Sequence, residues 1–405
     1  MKVFWGWRIV ASGFTLQFLQ SWLLTQAFGA YFAELSEERG WSKTALSGAA
    51  ALQPMEAALL GPALGWIIDR FGPQAMIRAG VLCFGLGLLV LSQIDSLAGF
   101  YVAFIIMALG TSLCGFFPLN VAIIHWFEKL RARALSVLSL GIALGGIFVP
   151  VIAWSMQSFG WRATALASGV LVILVGWPLS GVFGRRRPED HGETVDGLPL
   201  AAAGEARAGA GAQREFSARD ALRTGAFWLI SLGHASALLT VYAVSVHAIT
   251  HMKEGMGYTI AQASLVITLM TAAQVGGVLT GWAIGDRYDK RYVSAVCMLM
   301  HALGLLMLAY ATGIAMLVAF ACLHGSAWGL RGPFMQAIRA DYFGRRSIGM
   351  ILGLSSLITV LGQIGGPMIA GMMADLTGNY RAGFTVIAVM AGVGSLFFLF
   401  ARRPG

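Results

Sequence analysis

Apolar residues in this chain fall in long runs, and charged residues, proline and glycine collect in the short stretches between them. An α-helix rises 1.5 Å per residue, so about 20 apolar residues cross the hydrocarbon of a bilayer. Runs of that order occupy 8–34, 44–68, 76–94, 97–124, 133–157 and 161–183, and again 225–251, 258–284, 293–312, 314–340, 347–374 and 380–401. The chain therefore reads as an all-α membrane protein with twelve transmembrane helices.

Landmarks return in order at an offset near 216 residues. Gly65-Trp66 matches Gly281-Trp282, Asp69-Arg70 matches Asp286-Arg287, and Gly110 and Pro118 match Gly325 and Pro333. Phe127 matches Phe343, Pro150 matches Pro367, and Trp161-Arg162 matches Tyr380-Arg381. This predicts two six-helix pseudo-symmetric halves, 1–183 and 224–405. The segment 184–223 between them starts Arg185-Arg186-Arg187-Pro188 and runs into an Ala/Gly-rich tract, the composition of a flexible cytoplasmic linker.

Composition excludes a soluble fold, with 57% hydrophobic and only 12% charged residues. A net charge of +9 would suggest nucleic acid in a soluble protein, but here the placement of the charge matters, and no nucleic-acid partner is expected. Of 28 Lys and Arg residues, 22 fall on the side of the termini and the loops after even-numbered spans, counting the span ends beside them, and five fall on the other side: Arg39, Lys43, Arg162, Lys253 and Arg381. Positive-inside bias then puts both termini in the cytoplasm, as for a multi-pass protein of a bacterial inner membrane. One basic residue remains, Arg331, away from either end of its span. The first run is too long for a signal-peptide core and is expected to stay as span 1. Cys83, Cys114, Cys297 and Cys322 all fall in spans, so free thiols are expected, with no metal site and no cofactor.

The loop Gly65-Trp66-Ile67-Ile68-Asp69-Arg70-Phe71-Gly72 resembles the Gly-x-x-x-Asp-Arg-x-Gly signature of the major facilitator superfamily, and Asp286-Arg287 is similar to its second copy. The resemblance covers the whole chain. It implies two six-helix halves with a substrate site between them at mid-depth. It also implies that Asp69, Arg70, Asp286 and Arg287 belong to a cytoplasmic charge relay that holds the halves together in one state. Trp126 to Gly141 and Trp5-Gly6-Trp7 further resemble the monocarboxylate transporter family and its bacterial relatives. The chain departs from that pattern at Ser136, a usual glycine, and in lacking the family's span 1 lysine and span 8 Asp/Arg pair. The family's substrate assignment therefore does not carry over with those residues.

Arg331 lies about 14 Å inside its span by helix rise, too deep to reach interfacial water easily. Phe116 holds the matching place in span 4, so helix geometry requires no charge there. Two roles fit: a planar donor fork for a carboxylate, or a buried lock onto a neighbouring helix. Glu56 is the one acid well inside a span and follows Pro54. It reads either as a proton carrier, since taking a proton discharges a buried carboxylate, or as a fixed counter-ion of Arg331. His234 and His247 lie about 140° apart around span 7, so only one faces a cavity squarely. His234, nearer mid-depth, is the candidate, and His301 and His324 read as packing residues. Trp328, Asn120, Gln363 and Gln20 complete the candidate substrate contacts.

Together these features predict a monomeric, bilayer-embedded secondary transporter, not an enzyme. It would move a small organic anion with protons by alternating access. Proton-driven efflux of an amphiphilic or cationic compound, with Glu56 as the substrate's partner, is the alternative. A non-transporting receptor is a third reading, expected to carry an added soluble domain or long tail.

Overall fold

The computed structural model describes residues 4–39, 41, 56, 59–197, 215–258 and 260–404. Most of the expected span 44–68, including Pro54, and linker residues 198–214 lie outside them. The described residues contain helices and turns and no strand. Nine of their helical stretches are long and apolar enough to cross a membrane. One of these, Arg131–Gly184, has 54 residues and is interrupted at Phe148 and at Gly160, where φ is +81°.

Contacts divide the chain into two compact units. The first comprises Met1–Gln213 and Ser347–Gly353. Its helices are α1 (Trp5–Gln20), running on through a π turn at Ser21–Thr25, α2 (Phe28–Arg39), α3 (59–71), α4 (Pro73–Leu91), α5 (Leu97–Cys114), α6 (Phe116–Trp126), α7 (Arg131–Ile147) and α8 (Val149–Ser180). Local chemistry sets several ends. Pro73 takes the first helical position of α4, where its missing N–H costs nothing, and the Ser96 hydroxyl caps α5 by accepting from Gly99 N at 3.1 Å. A Cβ at Gly141 or Gly145 of α7 would strike Phe14 or Ser21, so small residues there let α1 and α7 approach closely.

The first part of the linker is more firmly held than its composition suggests. The Asp196 carboxylate accepts from the amides of Glu128, Lys129 and Leu130 at 3.1, 2.8 and 3.2 Å, covering the N-terminus of α7. Trp126 Nε1 donates to the Arg185 carbonyl at 3.2 Å, and the Arg185 guanidinium lies 4.0 Å from the centre of the Trp5 ring. A single carboxylate of this polar stretch thus meets three backbone amides at the start of α7.

The second unit comprises Arg214–Arg346 and Leu354–Gly405. It holds α9 (Ala218–Leu222), α10 (Gly225–Met256), α11 (Ile260–Ile284), α12 (Lys290–Ala309), α13 (Ile314–Phe343), most of α14 (Ile348–Thr377) and α15 (Arg381–Phe400). Glu215 accepts from the amides of Arg345 and Arg346 at 2.9 and 2.8 Å, ahead of α14. Gly277, Gly325 and Gly329 bring α11 against α13, and Gly362 and Gly366 bring α14 against α10. At each, an added Cβ would strike a backbone carbonyl of the facing helix.

Candidate functional site

Helix α13 carries the charge that the apolar pattern cannot explain. Arg331 is buried, and its Nε and Nη1 find no hydrogen-bond partner among the described residues. Arg339, eight residues on, is buried as well. That spacing places it about 80° around the helix and about 12 Å along it. Arg339 is anchored: Nη1 donates to the Met335 carbonyl at 2.6 Å, and Nη2 donates to Ser355 Oγ at 2.7 Å and His234 Nδ1 at 3.3 Å. Ser355 Oγ also lies 2.8 Å from Ser231 Oγ. One guanidinium thus joins α10, α13 and α14. A guanidinium only donates, so His234 Nδ1 accepts and the neutral ring carries its proton on Nε2.

The two arginines lie within electrostatic reach of each other, and neither forms an ion pair with a carboxylate among the described residues. The acids of the second unit's described helices and turns, Asp220, Glu254, Asp286, Asp289, Asp341 and Asp375, sit at or near helix ends. Two buried cations with no acid paired to them among the described residues form a site with an unmet demand for negative charge. In the sequence Arg339 groups with Arg345 and Arg346 on the cytoplasmic side, and its helical phase to Arg331, eight residues away, is the signal that sets it apart.

The other expected contacts scatter. Trp328 is half-buried against the apolar core of the second unit, and Gln363 is half-buried on α14. His247 Nε2 donates to the Pro367 carbonyl and His251 Nε2 to the Leu308 carbonyl, each at 3.0 Å, so both join helices. Gly332 beside Arg331 has open space where a Cβ would stand, whereas Gly329 is committed to packing against α11.

In the first unit, Asn120 is buried and donates to the Phe116 carbonyl of its own helix. Gln20 is buried beside Gly115, with its Nε2 unpartnered among the described residues. Both carboxylate oxygens of Glu56 are buried and likewise find no partner there. Asp69 accepts from the amides of Gly349 and Met350 at 3.0 and 2.9 Å, and its backbone carbonyl accepts from Arg186. Arg70 is exposed and lies over the Trp66 and Phe71 rings. In the second unit Arg287 is exposed, Asp286 is half-buried in the turn after α11, and Lys290 pairs with Asp341 at 2.9 Å. Asp69 and the α14 amides are thus brought together, an acceptor meeting a helix N-terminus.

The family model described as Major Facilitator Superfamily matches residues 10–259 and 230–405. The chain is 24% identical over 401 residues to Monocarboxylate transporter 13 of Bos taurus, covering 98% of this chain and 89% of that protein. It is 22% identical to Monocarboxylate transporter 4 of Gallus gallus, covering 99% and 84%. Among solved structures it is similar to a proton:xylose symporter, with a TM-score of 0.79 at 15% identity over 98% of this chain and 96% of that one. A human organic anion transporter superposes with a TM-score of 0.77 at 14% identity over 97% and 99%.

Proposed function

The chain belongs to the Major Facilitator Superfamily and is a transporter rather than an enzyme, and from that premise we propose that it carries a small carboxylate, coupled to protons, by alternating access. The observation that carries the reading is the pair of buried arginines in the second unit with no acidic partner among the described residues. Arg339 is occupied by His234, Ser355 and its own helix, while Arg331 keeps unpaired donors. An anion completes such a site, and a carboxylate matches the planar fork. The name of the relatives, monocarboxylate transporter, supports the same cargo. The direct test is a thermal-shift screen across carboxylates, amino acids and lipophilic cations, because a ligand that prefers the folded state raises its melting temperature. Carboxylates should shift it, and a response confined to cations would favour the efflux reading.

The proposal includes twelve crossings, in two six-helix halves, in a bacterial inner membrane, with a monomer as the working unit. Both termini and the linker 184–223 lie in the cytoplasm on this reading. A single cysteine placed in 198–211 of a cysteine-free background should react with an impermeant maleimide only in inside-out vesicles; reaction in intact cells would reverse the orientation.

Glu56 serves as the coupling carboxyl of the first unit, since its oxygens are buried and unpartnered among the described residues. Glu56→Gln mimics the protonated state. It should abolish accumulation driven by a proton gradient while sparing exchange of substrate for substrate, and unchanged accumulation would remove Glu56 from the cycle. Efflux of an amphiphilic cation is the second reading, favoured by the same unpartnered carboxylate.

A further inference from the structure

Two histidines outside the arginine network meet in the interior of the second unit. His301 of α12 and His324 of α13 are both fully buried, with Nδ1 3.2 Å from Nδ1 and ring centres 4.6 Å apart. Their Nε2 atoms are buried and have no partner among the described residues. A neutral pair at this distance has one Nδ1–H donating to the other Nδ1, which leaves one outward Nε2 a donor and the other an acceptor. Adding one proton keeps the Nδ1–H···Nδ1 bridge and makes both outward atoms donors. The pair is therefore built to hold one proton between two rings.

The charged neighbour of this pair is Arg331. It follows His324 by seven residues, nearly two full turns, so the two share a face of α13, and helix side chains lean toward the N-terminus, here toward His324. Its charge reaches His301, His324, His234, Cys297 and Arg339. Helices α11 and α15 add no titratable side chain between 260–284 or 382–400, and α10 brings Tyr242, His247 and His251 nearest this depth, the two histidines already bonded to the Pro367 and Leu308 carbonyls, while His234 lies farther along at Arg339. The acid of α14, Asp375, lies at its far end.

We propose that His301 and His324 form a proton-binding site whose occupancy is linked to the anion at Arg331, so that each favours the other. The proposal rests on the anion reading given above. With Arg331 uncompensated, a second positive charge beside it is repelled; a carboxylate on Arg331 removes that repulsion. The accounting balances: an empty site carries the charge of Arg331, and a loaded one adds an anion and a proton taken from water on the open side, for no net change. The occupied and empty forms then reorient with the same buried charge. Glu56 remains the carboxyl of the first unit, while the pair ties the proton to the anion.

The test uses the full chain in detergent with 15N-labelled histidine. Resonances are assigned by their loss in His301→Gln and His324→Gln. The pair should take up its proton at a higher pH in Arg331→Gln than in the wild type, and an unchanged titration of the pair overturns the proposal. Pyruvate, ionised throughout about pH 5.5 to 7.5, is the anion probe. Its affinity for the wild type should fall about tenfold per pH unit, with about one proton taken up per pyruvate bound, and should be flat in pH without uptake in His324→Gln. Flattening in Glu56→Gln but not in His324→Gln overturns the pair's role. If no pyruvate binds but the pair's titration still moves up in Arg331→Gln, the anion reading fails and the coupling of pair to arginine stands. Should Arg331→Gln not fold, the wild-type and His324→Gln arms decide alone.

Discussion

Arg331→Ala is expected to weaken carboxylate binding by about a hundredfold or more while leaving the melting temperature of the ligand-free protein unchanged or higher. The sign of the second effect separates a binding residue from a structural one. Hydrogen bonds to charged groups contribute roughly 1.5 to 3 kcal/mol each, so losing a two-point contact to an anion costs about 3 kcal/mol or more of affinity. Stability should not follow, because Nε and Nη1 of Arg331 make no hydrogen bond among the described residues while the side chain is buried. Removing a buried charge with unmet donors relieves a desolvation cost. Arg331→Lys keeps the charge but loses the planar fork, and its affinity should fall between those of wild type and Arg331→Ala. Isothermal titration on the folded fraction, beside thermal denaturation without ligand, reads both quantities. Normal affinity in Arg331→Ala would sink the anion site and promote the efflux reading; a lowered melting temperature with intact affinity would make Arg331 a helix lock.

Arg339→Met should show the converse pattern. It removes the bonds to Met335, Ser355 and His234 that join α10, α13 and α14. Charge-assisted bonds lost at three points are offset in part by no longer burying a cation, which leaves a net destabilisation of about 2 kcal/mol. Ser355→Ala should cost about 1 kcal/mol, and the double variant less than the sum, because both act on the same bond. Carboxylate affinity in the folded fraction of Arg339→Met should stay within about threefold of wild type, a change below 1 kcal/mol. Additive losses in the cycle, or a fall in affinity matching that of Arg331→Ala, would place Arg339 on the anion rather than in the scaffold.

The difference between these arginines marks where sequence reasoning stops. Arg331 stands alone among apolar residues, so its burial follows from span length and helix rise. Arg339 sits six residues before Arg345-Arg346, and charge counting assigns it to the cytoplasmic loop. Its burial depends on Ser355 and His234, and no one-dimensional pattern brings those three residues together. The His301–His324 contact is hidden for a related reason: 23 positions apart, they meet only because α12 and α13 pack with that register. Gly325, Gly329, Gly362 and Gly366 stand where facing backbone carbonyls leave no room for a Cβ, a use of small residues common between membrane helices. On either side of the Ala/Gly-rich tract, Asp196 and Glu215 each accept from backbone amides, contacts that depend on where a single carboxylate falls and that composition does not show.

The central claim is that proton and carboxylate move together through a cycle that needs Arg331. Purified protein in liposomes, given an inward proton gradient and labelled pyruvate, measures this directly. Wild type should concentrate the label above its outside level and lose it when a protonophore collapses the gradient, and Arg331→Ala liposomes should do neither. Gradient-driven accumulation that persists in Arg331→Ala, or wild-type protein that moves a lipophilic cation but no carboxylate, would contradict the account.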